Sequence, residues 1–142
     1  MKKLILTMAV AFSTMFASAQ NFIAVTTYDG DQEETLDKVT QNLGFGYKLN
    51  DNWTLGVIQA GEDAEGETNY DLWARYNWNA NTFVSVQAPT EETTDNLTVG
   101  VGYSYNVWKG LNIEPRYSMP LKEDETTGDR EGTFNLGFSY KF

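Results

Sequence analysis

The chain has 142 residues, 41% hydrophobic and 14% aromatic, with no His, no Cys, 3 Pro and a formal charge of -10. That length predicts one domain, and the aromatic content argues against a disordered acidic chain. Without His or Cys there are no disulfides, no thiolate or imidazole metal sites, no Ser-His-Asp triad and no Cys-His nucleophile, and the negative charge disfavours nucleic acid.

Residues 1–19 have the pattern of a secretory signal peptide. Lys2 and Lys3 precede an apolar run from Leu4 to Phe16, and Ala17-Ser18-Ala19 stands just before Gln20. The run is too short for a membrane-spanning helix, which needs about 20 apolar residues, and no later stretch approaches that length. No Cys follows the cleavage position, so a lipoprotein anchor is not expected. Residues 20–142 are the expected mature chain, in which 8 basic side chains face 20 acidic ones.

Beyond Gln20 the dominant signal is apolar and polar alternation with a period of two, which is the signature of strands with two unlike faces. Asn21 to Tyr28 is a first strand of ambiguous parity. Val39 to Leu49 alternates Leu43, Phe45, Tyr47 and Leu49 with Asn42, Gly44, Gly46 and Lys48. Trp53 to Gln59 sets Trp53, Leu55 and Val57 against Thr54 and Gly56, and Asn69 to Trp78 sets Tyr70, Leu72, Ala74, Tyr76 and Trp78 against Asp71, Arg75 and Asn77. Asn81 to Ala88 is again ambiguous, because Val84 and Val86 compete with Phe83 for the apolar face. Leu97 to Tyr105, Leu111 to Met119 and Phe134 to Phe142 complete eight strands. The connections Asp29 to Asp37, Gly61 to Thr68, Pro89 to Asp95 and Pro120 to Glu131 are long and polar. Asn50-Asp51-Asn52, Asn79-Ala80-Asn81 and Asn106 to Gly110 are short and rich in turn formers. Long and short connections therefore alternate, as in an up-and-down antiparallel barrel closed between its first and last strands.

Alternation alone does not say which face is inside, since a soluble lipocalin-like barrel and a membrane barrel write the same string. Glycine separates them. Gly44, Gly46, Gly56, Gly100, Gly102 and Gly137 all fall on the polar face, where small residues suit the cramped interior of an eight-stranded barrel. On the other face Tyr47, Trp53, Trp78, Tyr105, Trp108 and Phe142 gather at the short-turn end, as an aromatic girdle at a bilayer interface would. A tilted strand of about ten residues spans roughly 25 Å, the height of the apolar band of such barrels. The expected fold is all-β, an eight-stranded antiparallel up-and-down transmembrane β-barrel.

The chain resembles the small bacterial outer-membrane β-barrels of the OmpA/OmpX type, in the broad porin-like group, over residues 20–142. The most specific motif is Phe134-Asn-Leu136-Gly-Phe138-Ser-Tyr140-Lys-Phe142, which is similar to that family's C-terminal assembly signal. The resemblance implies residence in the outer membrane of a Gram-negative bacterium, contact with its lipid bilayer, and handling by the barrel-insertion machinery during biogenesis. Gly44 to Gly56 also looks like a hairpin of this group. Pro115 departs from the pattern, because a closed barrel has no edge to excuse its missing N–H, and it predicts a bulge or local ladder defect.

Eight strands leave a lumen that side chains can fill. Arg75 and Glu114 lie at similar depth on the polar face, with Asp71 and Arg116 nearer the long loops and Trp73 close by, which predicts the pairs Arg75 with Glu114 and Arg116 with Asp71. Such pairs either neutralise a packed interior or form a gate to a small conductance. Of the 20 acidic residues, 17 fall in the four long connections, where they keep solvated loops extended or hold divalent cations and a surface partner. Asp29-Gly-Asp31-Gln-Glu33 resembles the start of a calcium loop only in its first positions. No catalytic residue, metal ligand or cofactor is expected, nor a nucleic-acid partner. Two main function classes follow: a non-enzymatic structural or surface-interaction barrel displaying acidic loops, or a narrow porin-like channel or carrier for small solutes. An enzyme, with only a carboxylate-based hydrolase open to a chain without His, is a distant third, and the remaining non-membrane alternative is a soluble secreted barrel binding an apolar ligand.

Overall fold

In a computed structural model, which describes residues 21–142 apart from 29, 31, 32, 35, 41, 63, 91–95 and 124, the alternating segments lie in strands. They are β1 (Phe22–Thr27), β2 (Gly44–Lys48), β3 (Trp53–Glu62), β4 (Thr68–Asn77), β5 (Thr82–Pro89), β6 (Thr98–Tyr103), β7 (Tyr105–Trp108), β8 (Leu111–Pro120) and β9 (Thr133–Lys141). A short helix, α1 (Asp37–Thr40), lies between β1 and β2. Strands adjacent in sequence pair antiparallel, save that β6 and β7 both pair with β8 as two segments of one strand. β1 pairs antiparallel with β9, from Ile23 opposite Lys141 to Thr27 opposite Gly137, and this ladder closes the sheet. The fold is a closed, all-antiparallel, eight-stranded β-barrel.

Pro115 accounts for the break between β6 and β7. The register from Gly102 opposite Arg116 to Tyr105 opposite Ile113 is uninterrupted, and it sets Tyr103 against Pro115, which has no N–H to give. On its other side Pro115 keeps its place opposite Leu136 in the β8–β9 ladder. The defect is thus a missing rung without an extra residue. Ser104, at the gap, keeps its backbone paired: its N–H donates to Asn81 O at 2.7 Å, and its carbonyl accepts from Asn81 Nδ2 at 2.9 Å.

The short turns owe their shape to asparagine. Asn50 Oδ1 accepts the N–H groups of Asn52 and Trp53, both at 2.9 Å, and Asn79 Oδ1 accepts those of Asn81 and Thr82 at 2.9 and 2.8 Å. These side chains stand in for backbone acceptors and reverse the chain tightly. The third turn is tighter than expected, since β7 runs on to Trp108 and only Lys109 and Gly110 remain. Gly110 has φ +90°, and a Cβ there would stand 2.4 Å from Lys141 O, so both conformation and space call for glycine.

Two boundaries differ from the alternation. The second strand begins at Gly44 rather than Val39, because Thr40 turns back on the chain: its N–H and its hydroxyl both donate to Leu36 O, at 3.0 and 2.9 Å. The loop expected from Gly61 to Thr68 shrinks to residues 63–67, since β3 continues to Glu62 through an irregularity after Gln59.

The ambiguous parities are settled by volume. Ile23 and Val25 point inward, as does Phe83, while Val84 and Val86 point out. Inward bulk is matched by inward glycine. A Cβ at Gly46 would lie 2.7 Å from the Trp73 ring and one at Gly56 2.8 Å from it, while one at Gly102 would lie 2.3 Å from Phe83 Cζ. Gly102 is also the cross-strand partner of Phe83. Gly102→Ala should therefore destabilise the barrel by about 1–3 kcal/mol, and Phe83→Leu in the same chain should recover much of that loss, read as the midpoint of denaturant unfolding. Strictly additive losses would show that the two positions do not share volume.

Candidate functional site

Strand parity aims Asp71, Trp73 and Arg75 of β4 into the lumen, and Asn112, Glu114, Arg116 and Ser118 of β8 face them. At mid-lumen Arg75 and Glu114 form a two-pronged ion pair, with Nη1 donating to Oε1 at 3.0 Å and Nη2 to Oε2 at 2.7 Å. Each residue is 3% exposed. Glu114 Oε1 also accepts from the hydroxyls of Ser104 and Ser139, the latter at 2.7 Å, and Asn112 Nδ2 donates to Ser139 Oγ at 3.2 Å. The guanidinium carbon of Arg75 lies 3.9 Å from the centre of the Phe83 ring and 5.5 Å from that of Trp73. Charge, hydroxyls and rings together fill the lumen at this level.

The second expected pair does not form. Arg116 Nη2 donates to Thr27 Oγ1 at 2.6 Å, and Asp71 accepts from Gln87 Nε2 at 2.6 Å, so each is met by a neutral partner on a nearer strand. Ser104, Asn112 and Ser139 stand on the polar face that alternation gives them, whereas Thr27, Phe83 and Gln87, on the two strands of ambiguous parity, complete the part of the interior that alternation alone did not single out. Glycine opposite an aromatic, as at Gly102 and Phe83 or at Gly56 and Trp73, was the signal available for the two rings.

The filled level divides the lumen into two polar vestibules. The one at the long-loop end has a volume of about 490 Å³ and is bordered by Thr27, Gln87 and Arg116. The one at the short-turn end is about 170 Å³ and is bordered by Lys48, Asp51, Arg75 and Lys141.

Outside, the polarity is inverted. Leu55, Val57, Leu72, Val84, Val86, Val101 and Leu136 are exposed on the barrel wall. Tyr47, Trp53, Trp78, Tyr105, Trp108 and Phe142 are exposed around the short-turn end, Trp78 the most at 74%. Four further rings share this belt in edge or tilted contacts: Phe22 with Tyr47 at 5.2 Å, Tyr76 with Trp53 at 5.0 Å, Tyr103 with Tyr105 at 4.5 Å and Tyr140 with Phe142 at 4.9 Å. In β9, Phe134, Leu136 and Tyr140 are exposed while Gly137 and Ser139 are buried. A barrel that receives an apolar ligand would need the opposite arrangement.

The signal segment lies outside the described residues, as do Asp29, Asp31, Asp63, Glu91, Glu92, Asp95 and Asp124 of the acidic loops. Among the described residues, no three or more acidic side chains converge as a cation site. Glu123 and Glu125 pair with Arg130 and Lys122 at 3.3 and 3.2 Å, both pairs largely solvated.

No family model and no curated protein matches the chain. Among solved structures, it is similar to the Yersinia pestis outer membrane protein Ail in a phospholipid bilayer nanodisc, with 16% identity, 87% of this chain and 99% of that chain covered, and a TM-score of 0.46.

Removing one member of a buried ion pair strands the other charge, whereas replacing both by apolar side chains does not. Glu114→Ala should thus cost about 3–5 kcal/mol in unfolding free energy, and the double replacement Arg75→Met with Glu114→Leu should cost much less. Equal losses in the two denaturation curves would mean that the pair is incidental to the packing.

Proposed function

We propose that the chain is an exported, integral β-barrel of a Gram-negative outer membrane, without catalytic activity, whose rigid strands hold acidic loops above the bilayer. The observation that carries this reading is the inverted barrel: polar and charged groups meet inside, while a continuous apolar wall and an aromatic belt lie outside. In water that wall would be an exposed apolar patch far larger than soluble monomers carry. Against hydrocarbon it is the solvent-matched face, and ladders closed all the way round leave no strand edge to satisfy. The ten-residue strands β3, β4 and β8 reach about 25 Å when tilted near 40°.

The non-enzymatic reading draws on the same interior. The deeply buried carboxylate, Glu114, is committed to Arg75 and two serines, and the chain contains neither His nor Cys. Export is supported by the signal-peptide pattern of residues 1–19. The outward alternation of Phe134, Leu136, Phe138, Tyr140 and Phe142 fits handling by barrel-insertion machinery. The loops, by their charge, suit a surface partner or divalent cations.

Folding should depend on detergent or lipid and give a compact band that shifts on boiling. Leu136→Arg, opposite Pro115 near the middle of β8, should cost about 2–4 kcal/mol in bilayers. A chain that folds in plain buffer, and that tolerates Leu136→Arg there, would overturn the membrane reading.

A second reading, a narrow channel, is favoured by one observation. A vestibule lies on either side of the Arg75 and Glu114 level, and that level keeps two buried donors, Arg75 Nε and Trp73 Nε1, without a protein acceptor. Each such group costs about 1–3 kcal/mol, which offsets part of what holds the closed form. Planar-bilayer recordings should then show a larger or more frequent conductance for Glu114→Ala than for the parent. Identical traces, or none from either, would leave the lumen a plug.

A further inference from the structure

The vestibule at the long-loop end contains a charge that the plug does not use. Arg116 lines it, and a guanidinium carries five N–H donors, of which Arg116 spends one on the neutral Thr27 hydroxyl. Among the described residues no carboxylate forms an ion pair with it. The Glu114 oxygens are taken by Arg75 and two serines, and Asp71 is held by Gln87. Around Arg116 amides and hydroxyls make up most of the wall, among them Asn42, Ser85, Gln87, Ser118 and Asn135, with Ile58 and Tyr28 as its larger apolar side chains.

We infer that this vestibule is a binding site for a small hydroxylated monocarboxylate, of the sugar-acid class. Its volume of about 490 Å³ falls in the range of small-molecule sites, and it holds a monosaccharide with room for water. The fixed fork of Arg116 matches a carboxylate. The amides and hydroxyls supply donors and acceptors for several ligand hydroxyls, and little apolar surface is offered to anything greasier. One negative charge fits better than two or three, because acidic residues dominate the loops above the mouth and repel a polyanion more strongly. With the lumen filled at Arg75 and Glu114, such a ligand enters and leaves on the loop side. The site is therefore a receptor pocket whichever solvent the outer wall faces.

The test is calorimetric titration of the folded chain, in the medium that folds it, with glucuronate, glucose and acetate. Glucuronate should bind saturably and about tenfold or more tighter than either, and Arg116→Gln should weaken it by about tenfold while leaving gel mobility of the folded form unchanged. Three results would overturn the inference: no saturable glucuronate binding, glucose binding equally well, or Arg116→Gln binding like the parent. Should Arg116→Gln fail to fold, Asn135→Leu decides, since it removes a lining amide and no charge. Weaker glucuronate binding by that variant upholds the site, and unchanged binding overturns it.

Discussion

The ion pair between Arg75 and Glu114 is what the interior is built around. It spans the lumen between β4 and β8, strands separated on the barrel wall by β5 and the β6–β7 strand. Two charges at this depth are expensive to desolvate, and a single contact does not repay the cost. Here the carboxylate accepts four hydrogen bonds, two from the guanidinium and two from serine hydroxyls, and the guanidinium is covered by Phe83 and Trp73. The rings fit only because Gly46, Gly56 and Gly102 have no side chain. Charge neutralisation, hydroxyl placement and glycine placement are thus one arrangement distributed over seven of the eight barrel strands.

A polar centre dictates the outside. With most inward positions given to the ion pair, its partners and glycine, period-two alternation sends the Leu, Val, Tyr and Trp of the strands outward, save Val25 and Trp73, which face the lumen. An eight-stranded barrel is narrow, so beside the polar network there is inward room only for a small apolar cluster, Ile23, Val25, Ile58 and Trp73, with Phe83, and the remaining apolar side chains line the outer wall. Exposed valine and leucine at mid-height, with an aromatic belt at the short-turn end and Tyr28, Tyr117 and Phe134 exposed toward the other, follow from that choice.

Much of this was legible in the sequence. Strand number, closure, the alternation of long and short connections and the inward set of glycines are all local patterns, and barrel geometry leaves few ways to combine them. Arg75 and Glu114 could be matched because each strand meets a short turn at one end, β4 at its last residue and β8 at its first, and depth can be counted from that end. The same counting failed for Arg116 and Asp71. Depth alone does not say which of several inward polar groups is nearest, and Thr27 and Gln87, on strands whose parity was unreadable or weak, were nearer. The strand at Val39 failed for a different reason: a helical turn closed by the Thr40 hydroxyl overrode a few residues of alternation. Phe83 was obscured by its two valine neighbours until Gly102 opposite it showed which side had room.

The two ends of the barrel are not equivalent. At the short-turn end Asn50 and Asn79 close the backbone on itself, and the vestibule there is small, with Asp51 among its lysines. At the long-loop end the vestibule is nearly three times larger, and Arg116 is left with a neutral partner. A structural plug needs only the mid-lumen pair. Placing a second arginine just above it, without an acid of its own, adds a desolvation cost that the plug does not require. Such a cost is tolerated where water or a ligand reaches the group. The mouth of the loops is the direction from which either one comes.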